Sequence, residues 1–348
     1  MKNIKKIITL SLLAMTMLAN LASAKALKIA YSDWPGWVAW ELADKKGFFK
    51  ARGVDVELIW FEYVAQFDAL TSGQVDAAGI TNGDALLLNA TSGTKNVVIM
   101  INDFSNGNDK IVGLNGINSV ADLKGKKVGV EIGCLSHLLL NNALTKNSMT
   151  EADVTLVNMP THQAAQTLAS KEVSAIVAWQ PNSGMALETV AGSTEIYTSA
   201  EEPGIIFDTL AVSMDSLIKN KAEWEKVVLA WYDVVDYLND PANKEEAIAL
   251  MAARCGIAPE KYAKFISGTH FLTIEEALKA FEVGEKLDSV YGSNEYTDKF
   301  FIGAKLYDEK QNVKRMIDPS FTKKVAKDKG ATEIKKASII EETRTYSK

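Results

Sequence analysis

The chain has 348 residues, 47% hydrophobic and 24% charged, with a formal net charge of −6. That length implies about two domains, and the composition is that of a folded globular protein rather than a disordered one. No basic stretch is interleaved with aromatics, which argues against nucleic acid and anionic membranes as partners.

The N-terminus sets the expected compartment. Lys2, Lys5 and Lys6 precede an apolar run from Ile7 to Leu18, and Ala22-Ser23-Ala24 offers the small-x-small pattern that a signal peptidase cuts. Residues 1–24 therefore read as a cleaved signal peptide, and the mature protein is expected in the periplasm from Lys25. No later segment is apolar enough to span a bilayer, so direct membrane insertion is not expected. Cys134 and Cys255 could form one disulfide in an oxidising compartment, or stand as two separate buried thiols.

In chain order, Leu27–Tyr31 is a short apolar strand and Val38–Phe49 a helix. The alternation of Val54, Val56, Leu58 and Trp60 predicts a second strand. A helix over 65–72, a strand over 77–81, a helix over 83–90 and a strand over 97–101 follow. Strands separated by helices of this length imply parallel pairing. A second run starts at Ser119-Val-Ala-Asp122, a helix start with a capping hydroxyl and an acid on the positive end of the dipole. It continues with strands over 127–130, 154–157 and 175–179 and helices over 135–144 and 164–170. Ala69–Ala77 and Thr167–Ala175 share Leu70/Leu168, Ser72/Ser170, Val75/Val173 and Ala77/Ala175 in one register, which suggests duplicated βα units. After Phe207–Met214 helices take over, at 222–238, 244–253, 259–266 and 274–287, the last capped by Thr273. Two lobes joined by two crossover strands are expected: 25–114 with 208–321 as lobe 1, and 115–207 as lobe 2. Residues 322–348 read as a charged surface tail.

Four pieces carry a resemblance: Gly47-Phe-Phe-Lys-Ala-Arg-Gly-Val-Asp-Val56, Ala69-Leu-Thr-Ser-Gly-Gln-Val-Asp76, Leu123-Lys-Gly-Lys-Lys-Val128 and Val154-Thr-Leu-Val-Asn158. In order and spacing the chain resembles the periplasmic binding proteins of the nitrate, sulfonate and bicarbonate ABC importers. That resemblance implies an α/β, type II periplasmic binding protein fold, with two Rossmann-like lobes that close on a small-molecule solute and dock on an ABC permease with its cytoplasmic ATPase. Thr81-Asn-Gly-Asp-Ala-Leu86, Asp103-Phe-Ser-Asn-Gly-Asn-Asp109, Ser136-His137 and Pro203-Gly-Ile-Ile-Phe-Asp208 are similar to the branch associated with urea carboxylase and guanidine metabolism.

Ligands of such sheets sit beyond the carboxyl ends of the strands. The residues following each strand give the candidate ligand-binding set: Asp33, Trp34, Trp37, Asn82, Asp84, Asp103, Glu131, Ser136, Trp179 and Asp208. Asp103 and Asp109 could both be turn caps in a Gly/Asn loop, with Asp103 preferred as a ligand contact, while Trp40 reads as core and His137 as structural. These segments carry many acids, and their nearest base is Lys110 at the end of a loop. An anion beside desolvated carboxylates would cost several kcal/mol, whereas a compact cation gains from carboxylates and indole faces alike. The expected solute is a small nitrogen-rich molecule, guanidine-, amine- or urea-like. Nitrate, taurine or another sulfonate is the alternative, and a sensory module using the same closure stays open. Cys134-Leu-Ser-His137 could serve a hydrolase, but no third, orienting group is evident and the three His lack zinc spacing. The chain is expected to be a monomeric binder, not an enzyme, with no cofactor, no metal and no nucleic-acid partner.

Overall fold

Strand β1 (Leu27–Tyr31) is almost wholly buried, as a central strand covered on both faces must be. A computed structural model describes residues 25–330. The expected signal peptide and the last residues of the expected tail, 331–348, lie outside that range. β2 (Val56–Trp60) and β3 (Ala77–Thr81) flank β1 in parallel. β4 (Asn96–Ser105) is separated from β3 by β10 (Phe207–Ser213), which runs antiparallel to both. The short β11 (Thr269–Phe271) closes a six-stranded sheet of order β11-β4-β10-β3-β1-β2.

The second sheet repeats this plan. β6 (Lys127–Val130) lies between parallel β7 (Thr155–Asn158) and β8 (Ala175–Ala178). β5 (Lys110–Gly113) is inserted antiparallel between β8 and β9 (Thr194–Thr198). The order is β7-β6-β8-β5-β9. The sequence repeat ends at Ala77 and Ala175, the first residues of β3 and β8, so the duplicated segments occupy equivalent places in the two sheets. Both sheets are thus mixed: pairing is parallel where βαβ units build it and antiparallel at the strand received from the other half.

Side-chain alternation sorts the second core onto two faces. Ile111, Val128, Val130, Ala175 and Val177 pack with Leu139 and Leu140 on one side, while Val112, Ile176 and Ala178 pack with Met159 and Leu168 on the other. The first core is larger and also takes in Cys134, Leu135, Leu138 and Trp179 from the second half, so the two halves share apolar contact.

Three expectations are corrected. β5 already belongs to the second sheet, which puts the first crossover at 106–109 rather than near Leu114; the second runs through 199–206. The end of β4 and the first crossover both bond to the second, Ser105 Oγ to Ser199 Oγ at 2.7 Å and Gly107 N to Ser199 Oγ at 2.8 Å. The expected helix 38–49 is three short ones, Pro35–Val38, Trp40–Lys45 and Phe48–Arg52, and Gly47 at φ +72° resets the chain between the second and third. The expected tail begins as a packed helix, Ser320–Asp328, which buries Phe321, Thr322, Val325 and Ala326. Its charged residues hid an i, i+4 apolar pair, Phe321 and Val325. Val325→Ala should lower stability by about 2 kcal/mol in chemical denaturation, whereas a free tail would show no change.

Candidate functional site

The carboxyl ends of β1 and β3 meet the second half at a cavity of about 20 Å3, little more than one water requires. It is lined by Trp34, Trp37, Tyr63, Thr81, Asp84, Asp109, Cys134, Leu135, Ser136, Trp179, Ile206 and Asp208. Six of the ten expected residues are in this lining: Trp34, Trp37, Asp84, Ser136, Trp179 and Asp208. No Lys or Arg is among the lining residues.

The aromatic wall is built by a tight turn after β1. Pro35 stands at the first turn of the helix Pro35–Val38, where its fixed φ suits the start. Trp37 stacks on Tyr63 at 5.4 Å and 8°, and Tyr63 meets Trp179 edge-on at 5.0 Å. Gly79 of β3 makes room for the first of these rings, since a Cβ there would come within 2.8 Å of the Trp37 indole. Trp34 donates Nε1–H to Asp103 Oδ1 at 2.9 Å, so one face of the wall is fixed by a buried acid. Gly36 is a second close approach, for a Cβ would collide with the Asp103 carboxyl.

The acids give the site its sign. Asp84, on the helix Asn82–Thr91, accepts from Tyr63 Oη at 2.6 Å and Thr81 Oγ1 at 2.8 Å through Oδ2. Its Oδ1 is buried with no donor at hydrogen-bonding geometry. Burial pushes the Asp84 carboxyl up to about 6, against the downward pull of both hydroxyls and of the Leu135 amide. Asp109 is likewise pushed up to about 6 by burial, with the Ser105 hydrogen bond opposing. Asp208 is raised further, by burial first and then by Asp103, Asp109 and Asp84. Trp37 Nε1 is also buried without a partner.

The other four expected residues lie outside this lining. Asn82 spends its amide on structure: Nδ2 donates to Asn294 Oδ1 at 2.6 Å and Ser293 Oγ at 3.1 Å, and Oδ1 accepts from Phe207 N. Asp103 sits behind the lining, under Trp34. Glu131 accepts from Thr161 N at 2.8 Å, and burial pushes it up to about 8 while its Oε2 finds no partner. Asp33 bridges the halves, accepting from Asn182 Nδ2 at 2.7 Å and Trp179 Nε1 at 3.4 Å. A hydrogen bond to a charged group contributes about 1.5–3 kcal/mol. Asp33→Ala is therefore expected to favour open lobes, with a larger radius of gyration by X-ray scattering and roughly tenfold weaker solute binding. An unchanged radius would speak against the bridge.

Sequence reasoning missed Tyr63, Thr81, Leu135 and Ile206, and ranked Asp109 below Asp103. Tyr63 follows β2, so the strand-end rule applied there would have found it. Cys134 and Cys255 are both free. Cys134 lines the cavity, yet burial pushes its thiol well up, with Asp84 and Glu131 adding to the effect, the opposite of an activated nucleophile. His137 does not serve it as a base: Nδ1 accepts from Gly133 N at 3.3 Å, Nε2 lies 3.1 Å from Glu151, and the ring packs on Phe300. No group of three or more His, Cys, Asp or Glu among the described residues could hold a metal, and no helix there is long and apolar enough to cross a membrane.

The NMT1/THI5-like family model matches residues 35–244. A binding protein of Brucella abortus is 29% identical over 274 residues, 77% of this chain and 84% of that protein. A protein of Escherichia coli named for binding aliphatic sulfonates is 25% identical over 273 residues, 76% of this chain and 83% of that one. Among solved structures, the periplasmic nitrate-binding protein of Synechocystis superposes with a TM-score of 0.71 at 13% identity, covering 88% of this chain and 89% of that one. The periplasmic aliphatic sulphonate binding protein of Escherichia coli gives 0.69 at 21% identity, covering 85% and 98%. A desulfurization enzyme gives 0.62 at 17% identity over 87% and 99%, so the fold carries both binding and catalysis. With the family model spanning more than half of its residues, the chain belongs to the NMT1/THI5-like family.

Proposed function

We propose that this protein is the periplasmic solute-binding component of an ABC importer, and that its lobes close on a compact, nitrogen-rich cation such as a guanidinium or small ammonium compound. The observation that carries the reading is the lining itself: Asp84, Asp109 and Asp208 beside three indoles, with no basic side chain among them. Carboxylates accept N–H groups from a cation, and an indole face open to the guest adds about 0.5–2 kcal/mol. The small cavity favours a guest of few atoms. Shifting lobes from mostly open to mostly closed takes about 5.5 kcal/mol of differential binding, which a micromolar ligand at about 8 kcal/mol can supply.

Relatives named for aliphatic sulfonates support a second reading, an anionic solute held at helix N-termini. The helix Leu135–Lys146 does begin at the cavity with no side-chain cap. Against it stands Asp84, whose carboxylate already lies by the Leu135 amide. The raised Cys134 thiol likewise favours a binder over an enzyme.

A thermal-shift screen of residues 25–348 separates the readings. Guanidinium or a small amine, at 100 times its dissociation constant, should add about 2.7 kcal/mol of stability. Shifts confined to taurine, other sulfonates or nitrate would refute the cationic reading.

A further inference from the structure

The cavity's acids are not equivalent, and one pair is built differently from the rest. Asp103 of β4 and Asp208 of β10 are register partners on adjacent antiparallel strands. Paired residues of adjacent strands present their side chains on one face, with Cβ atoms about 4.5–5.5 Å apart, so the two carboxyls face each other. Each has an Oδ2 that is buried and receives no N–H or O–H from the protein. Asp103 is 0% and Asp208 2% exposed, so both carboxyls are withdrawn from bulk solvent. Two carboxylates in that position cannot both be ionised, and a single proton between them satisfies an orphan oxygen on each side.

We propose that Asp103 and Asp208 share one proton in the unliganded protein and release it when a cation enters, so that solute capture is a cation-for-proton exchange. The proposal rests on the cationic reading above. The O–H bond of the dyad breaks, the proton passes to solvent, and an N–H of the guest takes its place against Asp208. The charge of the site is thereby conserved. A neutral guest of the same shape, urea rather than guanidinium, leaves the proton in place.

The neighbours reinforce this behaviour. The charged groups that act on Asp208 are acids: Asp103 on β4, Asp109 on the crossover before β5, and Asp84 on the helix Asn82–Thr91. β3 (Ala77–Thr81) and the helix Pro35–Val38 carry no titratable side chain on that side. On β11, His270 packs on Phe104 and is tied to Glu276 at 2.9 Å. Lys110, next to Asp109 in the chain, is paired with Glu195. Burial raises both members of the dyad, and Asp208 is held higher by the acids around it. Asp103 also fixes Trp34, so it is a positioning residue: it places the indole and tunes Asp208.

Infrared spectroscopy of unliganded wild-type residues 25–348 at pH 7 should show the carbonyl band of a protonated carboxylic acid, and Asp208→Asn should weaken it. Guanidinium chloride at millimolar concentration should remove that part of the band. Calorimetry in two buffers of different ionisation enthalpy should then count about one proton released per cation bound. Asp103→Asn, which leaves Glu131 untouched, should cut the released proton to well under one and flatten the pH profile of affinity; a merely structural role for Asp103 would leave the count unchanged. A wild type with no protonated-acid band, or one that binds guanidinium without releasing a proton, overturns the dyad and leaves the cationic reading standing. A band that persists in the presence of guanidinium and small amines that fail to bind overturns the exchange together with that reading.

Discussion

Asp84→Asn is expected to weaken guanidinium binding by roughly 30- to 1000-fold, corresponding to about 2–4 kcal/mol. Asp84 is fully buried and lines the cavity, and its Oδ1 has no hydrogen-bond partner. The Asn side chain has nearly the same shape and can still accept from Tyr63 and Thr81, so the fold should tolerate it. What disappears is the charge. The same substitution should improve the binding of an anion, because it removes a repelling carboxylate beside the Leu135 amide. Calorimetric titration of the variant with guanidinium and with taurine therefore reads the sign of the site directly. Weaker guanidinium binding supports the account, and stronger taurine binding with guanidinium unaffected contradicts it.

The second large effect is on pH dependence. Acids whose folded-state pKa values lie above their unfolded values bind more protons folded than unfolded, so stability falls as pH rises through that window. Asp84 and Asp109 sit at about 6 and Glu131 at about 8, all through burial. Their contribution is fully present below pH 4 and is lost progressively between about pH 4 and 8. For Asp84 alone, a rise from 3.8 to about 6 corresponds to roughly 3 kcal/mol. The unliganded protein should therefore lose melting temperature from pH 5 to 8, where many proteins are near their maximum. A bound cation favours the ionised acids, so the ligand-induced rise in melting temperature should grow over the same interval. Melting curves at several pH values, with and without guanidinium, measure both. A ligand effect that shrinks with rising pH would contradict a cationic guest.

Much of the fold could be read in the residues. The strand over 77–81, the helix starting beside Asp84 and the strand over 127–130 follow from apolar runs bounded by polar turns. The match of Ala69–Ala77 with Thr167–Ala175 located the two equivalent central strands. Capping chemistry was legible too: Ser119 with Asp122 and Thr273 with Glu276 form reciprocal boxes. Short antiparallel pieces were not. β5 and β11 span four and three residues, too few for a period to emerge, and they exist because neighbouring strands offer partners. The helix expected to reach Leu287 stops at Ala280, before the Val283-Gly284 break.

The site was legible as a set of strand ends, but not as a geometry. Trp34 and Trp37, followed by no periodic pattern, were recognisable as turn aromatics, and both line the cavity. Asp103 was preferred over Asp109, yet Asp109 lines the cavity and Asp103 does not. The pairing of Asp103 with Asp208 across β4 and β10 is a long-range property that strand ends alone do not reveal. The partners of Asn82 were hidden for a similar reason: Ser293 and Asn294 lie more than two hundred residues away.

A crystal structure of the protein soaked with guanidinium chloride tests the electrostatic sign most directly. The account predicts the cation among Trp34, Trp37 and Trp179, with an N–H within hydrogen-bonding distance of Asp84 Oδ1. Taurine or nitrate bound instead at the amides of Leu135 and Ser136, with Asp84 turned away and no guanidinium in the cavity, would contradict it.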